Sequence, residues 1–284
     1  MMAPAADGTP VGLIAGGGSL PFTVADQLAA QGRKPVVFAL RGFCDPKQVS
    51  RFTHHWVSIG QFGAAKRLLR AEGCRDLVFI GSLVRPALSE LRLDLGTLRV
   101  MPSVIRAYRG GDDHLLSRVG RIFEAHGFRV LGIRDVAPEL LMPEGAMTRH
   151  RPDARAEADI VRGRAVLAAL SPFDVGQAVV VIDGHVVAVE GIEGTDAMLA
   201  RVAQLRRDRV VRADVGRGVL VKAAKRGQDL RFDLPTVGPR TVREAEAAGL
   251  AGLAIVAGNA LVAEAQEMVE AADKAGLFVV GLSA

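Results

Sequence analysis

The stretch Val11–Pro21, VGLIAGGGSLP, decides how the first half of the chain is read. A short apolar run leads into three consecutive glycines and then into a segment with helical periodicity. Such a run suits a strand buried on both faces of a sheet, and a glycine turn opening a helix is a natural seat for phosphate. Similar runs follow at PVVFAL (35–40), DLVFIG (76–81) and FRVLGI (128–133). Between them, PFTVADQLAAQG and QFGAAKRLLRAEG are amphipathic, and each closes on a glycine suited to a helix C′ position. Strand–helix alternation predicts a doubly wound, Rossmann-like parallel sheet with ligands at the carboxyl ends of its strands. Gly16, Gly17 and Gly18 lie at one such end, and Gly81 with Ser82 at another; all five are candidate binding residues.

The turn matches the dinucleotide fingerprint only in part. Pro21 stands where the third glycine belongs, and the second apolar run leads into Arg41-Gly42 instead of an acid that would hold a ribose hydroxyl. An NAD site is disfavoured. An NADP-linked oxidoreductase, with Arg41 reading the extra phosphate, stays as an alternative, although the only tyrosine is Tyr108 and no Ser/Tyr/Lys catalytic set is evident. Open amides of Gly16, Gly17 and Gly18 would suit an anion; the other reading is a tight structural turn.

Composition narrows the classes. The 284 residues allow one large domain or two, and 49% hydrophobic with 24% charged residues fits a folded protein with ample core. No run approaches the roughly 18 apolar residues of a membrane span. The opening MMAPAADGTP has neither a basic nor an apolar leader region, and Cys44 and Cys74 form no framework, so a cytosolic chain is expected. The +5 charge is spread thinly. With aromatics at 5%, a base-stacking platform lacks material, and no nucleic-acid partner is expected. A non-catalytic sugar-nucleotide- or lipid-binding protein is a further alternative.

Around 135–148, DVAPELLMPEGAMT loses periodicity, which sets two domains at 1–137 and 138–284. The second opens with a helix, EADIVRGRAVLAAL, and then AVVVIDGHVVAVE. There Asp183-Gly184 signals a type I′ hairpin, since both central positions need positive φ. A helix near 196–207, the strand GVLVKAA (218–224), a capping box at Thr241 and Glu244, the strand LAGLAIVAG, a helix over ALVAEAQEMVEAADKAG and the strand LFVVGL follow. This predicts a mixed α/β domain, with the ligand in the cleft between domains.

Three acidic clusters are candidates for chemistry. Gly111, Asp112 and Asp113 lie in a Gly-Gly-Asp-Asp loop that either touches ligand or caps the helix after it. Asp112-Asp113-His114 is not read as a binuclear phosphoesterase site, because Gly258-Asn259 is followed by Ala260 where that class needs a histidine. In VEGIEGTDAM, Glu190, Glu193 and Asp196 surround Gly194 and Thr195 and would suit a hard cation or sugar hydroxyls. The densest cluster is LVKAAKRGQDLRFDLPTVGPRTV, where Lys222, Lys225 and Gln228 accompany Asp229 and Asp233. Spacing by four puts the two acids on one side whether the segment is extended or helical. Cations beside carboxylates suit phosphoryl transfer, in which a carboxylate orients or deprotonates water and Mg²⁺ neutralises phosphate oxygens.

Five of these stretches, IAGGGSLP, GGDDHLL, AVEGIEGTDAML, K-x-x-K-x-x-Q-D-x-R-x-D-L-P-T-x-G-P-x-T-V and GLFVVGL, together resemble the LpxI family of UDP-2,3-diacylglucosamine pyrophosphatases. The likeness spans nearly the whole chain, with Arg226 departing from an expected proline. The resemblance implies a Mg²⁺-dependent hydrolase of lipid A biosynthesis that cleaves UDP-2,3-diacylglucosamine to UMP and 2,3-diacylglucosamine 1-phosphate (lipid X). It implies attack on the sugar-side phosphorus, an essential aspartate at Asp229 or Asp233, and a cytoplasmic enzyme that touches the inner-membrane surface transiently. A homodimer is left open, and no amphipathic surface helix stands out.

Overall fold

A computed structural model describes residues 8–83, 93–108, 112–225, 227–232 and 234–283; the side chains of 102–108 and 112–115 are outside the description. In chain order the elements are β1 (Pro10–Ala15), α1 (Leu20–Ala30), β2 (Lys34–Leu40), α2 (Pro46–Val49), β3 (Thr53–Val57), α3 (Phe62–Ala71), β4 (Asp76–Ile80), α4 (Leu95–Tyr108), α5 (Asp112–Glu124), β5 (Arg129–Val130), α6 (Ile133–Val136), β6 (Gly145–Ala146) and α7 (Ala154–Leu170). The remainder are β7 (Ala178–Ile182), β8 (His185–Val189), α8 (Gly194–Arg207), β9 (Val219–Lys222), β10 (Thr236–Val237), α9 (Pro239–Ala247), β11 (Gly252–Val256), β12 (Leu261–Val262), α10 (Ala265–Ala275) and β13 (Phe278–Leu282).

The chain divides into two compact units. One holds the residues up to Pro138 and also takes Arg231 and Phe232; the other holds Glu139–Leu230 and the chain from Leu234 onward. In the first unit a sheet runs β3-β2-β1-β4-β5 with every pairing parallel. This is the order of the doubly wound dinucleotide-type fold, whose topological switch point lies between β1 and β4. The near-continuous apolar strands are buried as such a sheet requires, from Val36 to Phe38 in β2 and at Leu77 in β4. Strand β3, THHWV, lies at an edge and carries no apolar run of the kind that marks its neighbours. FRVLGI contributes only the two residues of β5 before α6 begins at Ile133.

The second unit is built on a mixed sheet in the order β6-β13-β11-β9-β7-β8. Its centre, β13-β11-β9, is parallel, while β6, β7 and β8 pair antiparallel with their neighbours. Alternate residues feed two cores. Val180, Leu220, Leu253 and Val279 pack under α8, α9 and α10, whereas Val179, Val181, Val219, Val221 and Ala254 pack under α7. Asp183 and Gly184 form the hairpin turn at φ 49° and 77°, as the primed turn requires.

Two expectations fail locally. Thr241 does not cap a helix: α9 starts earlier, with Gly238 as N-cap and Pro239 at N1, so Thr241 lies buried inside it. The segment 260–276 is not one helix either. Leu261 and Val262 pair with Thr236 and Val237 as a short parallel ladder, and α10 starts only at Ala265.

Candidate active site

In the first unit, β1 and β4 end side by side and their exits are stitched together. Gly17 and Ser82 exchange both backbone hydrogen bonds, at 2.8 and 2.9 Å, and the Gly16 amide donates to the Ile80 carbonyl at 2.8 Å. The amides of Gly16 and Gly17 are therefore spent on the backbone, which corrects the expectation of three open donors. The glycines have a different reason. A methyl at Gly16 would lie 2.6 Å from the Ser82 carbonyl oxygen, and one at Gly81 would lie 2.8 Å from backbone atoms of Gly16 and Gly17. Two chains can cross this closely only without side chains. Gly18, exposed at φ 92°, lies beyond the bridge as the chain enters α1. Cys44 hangs below the turn, its thiol donating to the Ala15 and Gly16 carbonyls at 3.1 Å. Burial raises its pKa, so no reactive thiolate stands at the turn.

Gly111 lies outside the described residues. Asp112 and Asp113 open α5, but their side chains are not described, so their contacts are not assigned.

The second unit joins two of the sequence clusters. Lys222, at the carboxyl end of β9, is only 6% exposed, and its ammonium donates to the Thr195 hydroxyl at 2.8 Å and to the Thr236 carbonyl at 3.2 Å. Thr195, in the first turn of α8, donates in turn to Glu190 Oε1 at 2.7 Å. The other oxygen of Glu190 accepts the Gln177 amide at 2.7 Å. A buried cation and a buried anion thus share one threonine hydroxyl, which offsets part of the cost of removing both from water. The reach of β8 into α8 places Glu190 and Thr195; β9 brings Lys222 from 27 residues further on.

The three acids of VEGIEGTDAM do not converge on a cation. Glu190 is committed as above, Glu193 pairs with Arg201 at 3.2 Å and Asp196 with Arg240 at 2.9 Å. Gly194 opens α8 at φ 81°. Among the described residues no group of three histidine, cysteine or acidic side chains could hold a metal.

Beyond β9 the chain neither extends nor coils. Turns occupy 227 and 230–232, so the argument that regular spacing aligns Asp229 with Asp233 does not hold, and Asp233 itself lies outside the described residues. Asp229 is half-buried in this loop. The Lys225 ammonium pairs with Asp174 at 2.6 Å, and the Gln228 side-chain oxygen accepts the Lys225 amide at 3.0 Å, closing the turn. Gln177, Asp174, Arg201 and Arg240 were not marked by any sequence pattern. Asp174 and Gln177 lie in the connection between α7 and β7 and Arg240 in α9, so the fold brings these three to their partners, whereas Arg201 reaches Glu193 along α8 itself.

These features define a two-unit α/β protein with a dinucleotide-type sheet and, on its second sheet, a buried cation–acid network beside an aspartate-bearing loop. The chain belongs to the LpxI family: residues 10–140 match the LpxI N-terminal domain and 143–280 the LpxI C-terminal domain. It is 44% identical over 272 residues to the UDP-2,3-diacylglucosamine pyrophosphatase LpxI of Caulobacter vibrioides, covering 96% of this chain and 97% of that one.

Proposed function

We propose that this chain hydrolyses the pyrophosphate of UDP-2,3-diacylglucosamine to UMP and 2,3-diacylglucosamine 1-phosphate. The observation that carries the reading is the full-length match to a relative that bears this activity in its name. Local chemistry agrees with it. The half-buried Asp229 accepts a proton from water, whose oxygen adds to phosphorus as the bond to the bridging oxygen breaks. Lys222 supplies a fixed positive charge at the end of β9, and Thr195 with the Thr236 carbonyl hold it there. Lys225 and Gln228 shape the loop that presents Asp229. The dinucleotide-type sheet offers Gly18 and the exit of β4 to the nucleotide end. The NADP-linked alternative loses one of its two motivating features, because two of its three loop amides are already bonded.

Mg²⁺ fits the donor set. It keeps several waters and needs one or two carboxylates plus substrate phosphate, so Asp229 together with the phosphates of the substrate would serve without a pre-built cage. When bound, it would neutralise phosphate oxygens. Among the described residues no helix is long and apolar enough to cross a membrane. Leu93, Leu95 and Leu98 are 44, 77 and 51% exposed beside Arg99, and α4 contains no acid. This face supports contact of the cytoplasmic enzyme with an anionic bilayer from which an acylated substrate is drawn.

The test incubates purified protein with the lipid substrate, with and without Mg²⁺, and follows UMP. Asp229→Asn is expected to lower kcat by about a hundredfold or more. In ¹⁸O water the label is expected in the lipid phosphate. No UMP from the wild type would dismiss the function, and an unimpaired Asp229→Asn would dismiss the residue.

A further inference from the structure

The dipeptide Arg231-Phe232, two and three residues beyond Asp229, is seated in the first unit by three separate contacts. The Phe232 ring lies 5.5 Å from that of Phe79 on β4 and ends a line of rings that continues through Phe123 to Phe62 and Phe128. Its outer edge rests on the backbone of α5 at Gly120, where any β-carbon would overlap Cζ and Cε1 of the ring. One turn further along α5, Glu124 pairs with the Arg231 guanidinium at 2.7 Å. That guanidinium also stands 5.2 Å from the centre of the Phe232 ring.

Gly120 has no local reason to be glycine. It lies inside a helix, where alanine is the better former, and it is not among the residues with positive φ. The ring of Phe232 is what excludes a side chain. The connection from Lys222 to Thr236 is long and turn-rich, and such loops have many conformations unless something fixes them. Two residues of backbone span about 7 Å at most, so seating Arg231 confines Asp229 to a small volume.

We propose that Gly120 and Phe232 form a notch and plug whose role is to position Asp229 for the reaction. Gly120, Phe232, Arg231 and Glu124 are positioning residues that touch no reacting atom. This rests on the hydrolase reading above.

The experiment compares wild type, Gly120→Ala, Phe232→Leu and the double variant Gly120→Ala/Phe232→Leu. Gly120→Ala is expected to lower kcat by about a hundredfold, the usual effect of a displaced catalytic group, with KM changed less than about threefold. Phe232→Leu alone should cost only a few-fold, and in the double variant the smaller side chain should recover at least about tenfold over Gly120→Ala. Trypsin gives a readout without turnover: cleavage after Lys225, Arg226 and Arg231 should speed up in Gly120→Ala and slow again in the double variant. Melting temperature and helix content should hold in all four. A fully active Gly120→Ala, or effects that simply add in the double variant, would overturn the proposal. A wild type that releases no UMP but shows the trypsin pattern would remove the hydrolase reading and keep the clasp.

Discussion

Thr195 carries one hydroxyl proton, and its neighbours fix where that proton goes. The Lys222 ammonium can only donate and the Glu190 carboxylate can only accept, so the bonds run from lysine through threonine to glutamate. Thr195→Val keeps the shape and removes both bonds. It is expected to lower stability by about 2–3 kcal/mol, from the desolvated groups left without this partner. Thr195→Ser should stay near wild type, and urea unfolding of the three proteins checks the difference. Residue identities were legible in the sequence to the extent that chemistry depends on type. Lys222, Glu190 and Thr195 all stood out, but as two clusters 27 or more residues apart whose junction only the strand order makes. The glycines at 16 and 17 were legible as a tight turn. Their purpose was not, because close approach by Ser82 leaves no mark near them.

Among the elements, the β7–β8 hairpin shows a sequence signal and a hidden support together. Asp183-Gly184 announces the turn through its backbone requirement alone. Beneath it, Asp159 of α7 is 2% exposed and accepts the amides of Gly184 and Asp183 at 2.6 and 3.0 Å. Asp159→Ala is expected to cost about 2–4 kcal/mol, since two amides directed inward lose a charged acceptor. Thermal unfolding with urea titration would measure it, and a loss below about 0.5 kcal/mol would mean that water replaces the carboxylate. Elements were misread where two rules competed. Proline at N1 won over the Thr241–Glu244 spacing and started α9 three residues early. Ala260–Ala263 is an apolar run that fits a helix or a strand, and pairing with β10 decided for the strand.

For the whole molecule, acid is the expected weakness. Hydrogen bonding to His55 depresses the Glu72 pKa, and the Arg149 amide depresses that of Asp273. Burial alone would raise Asp94, but the amides of Thr97, Ala64 and Gly63 with the Thr97 hydroxyl outweigh it and the net shift is downward. Each folded value lies below the unfolded one. The stabilisation is therefore complete above about pH 4 to 4.5 and is lost as pH falls through the folded values. Urea midpoints should be level from pH 6 to 8 and fall steeply below about 4. Asp94→Asn should lie well below wild type at neutral pH and converge with it in acid; a constant gap would contradict the assignment.

The order of strands in the second sheet also bears on how the protein is made. β13 does not lie at an edge; it sits between β6 and β11, so residues 278–282 complete the sheet's interior. On the ribosome, β1 to β5 are all available by residue 130, and that sheet can close while translation continues. The second sheet must wait for a strand that emerges late, holding the apolar faces of β7, β9 and β11 open meanwhile. A nascent chain paused in α10 therefore presents one finished domain and one unfinished surface, and that surface is where a chaperone would be needed.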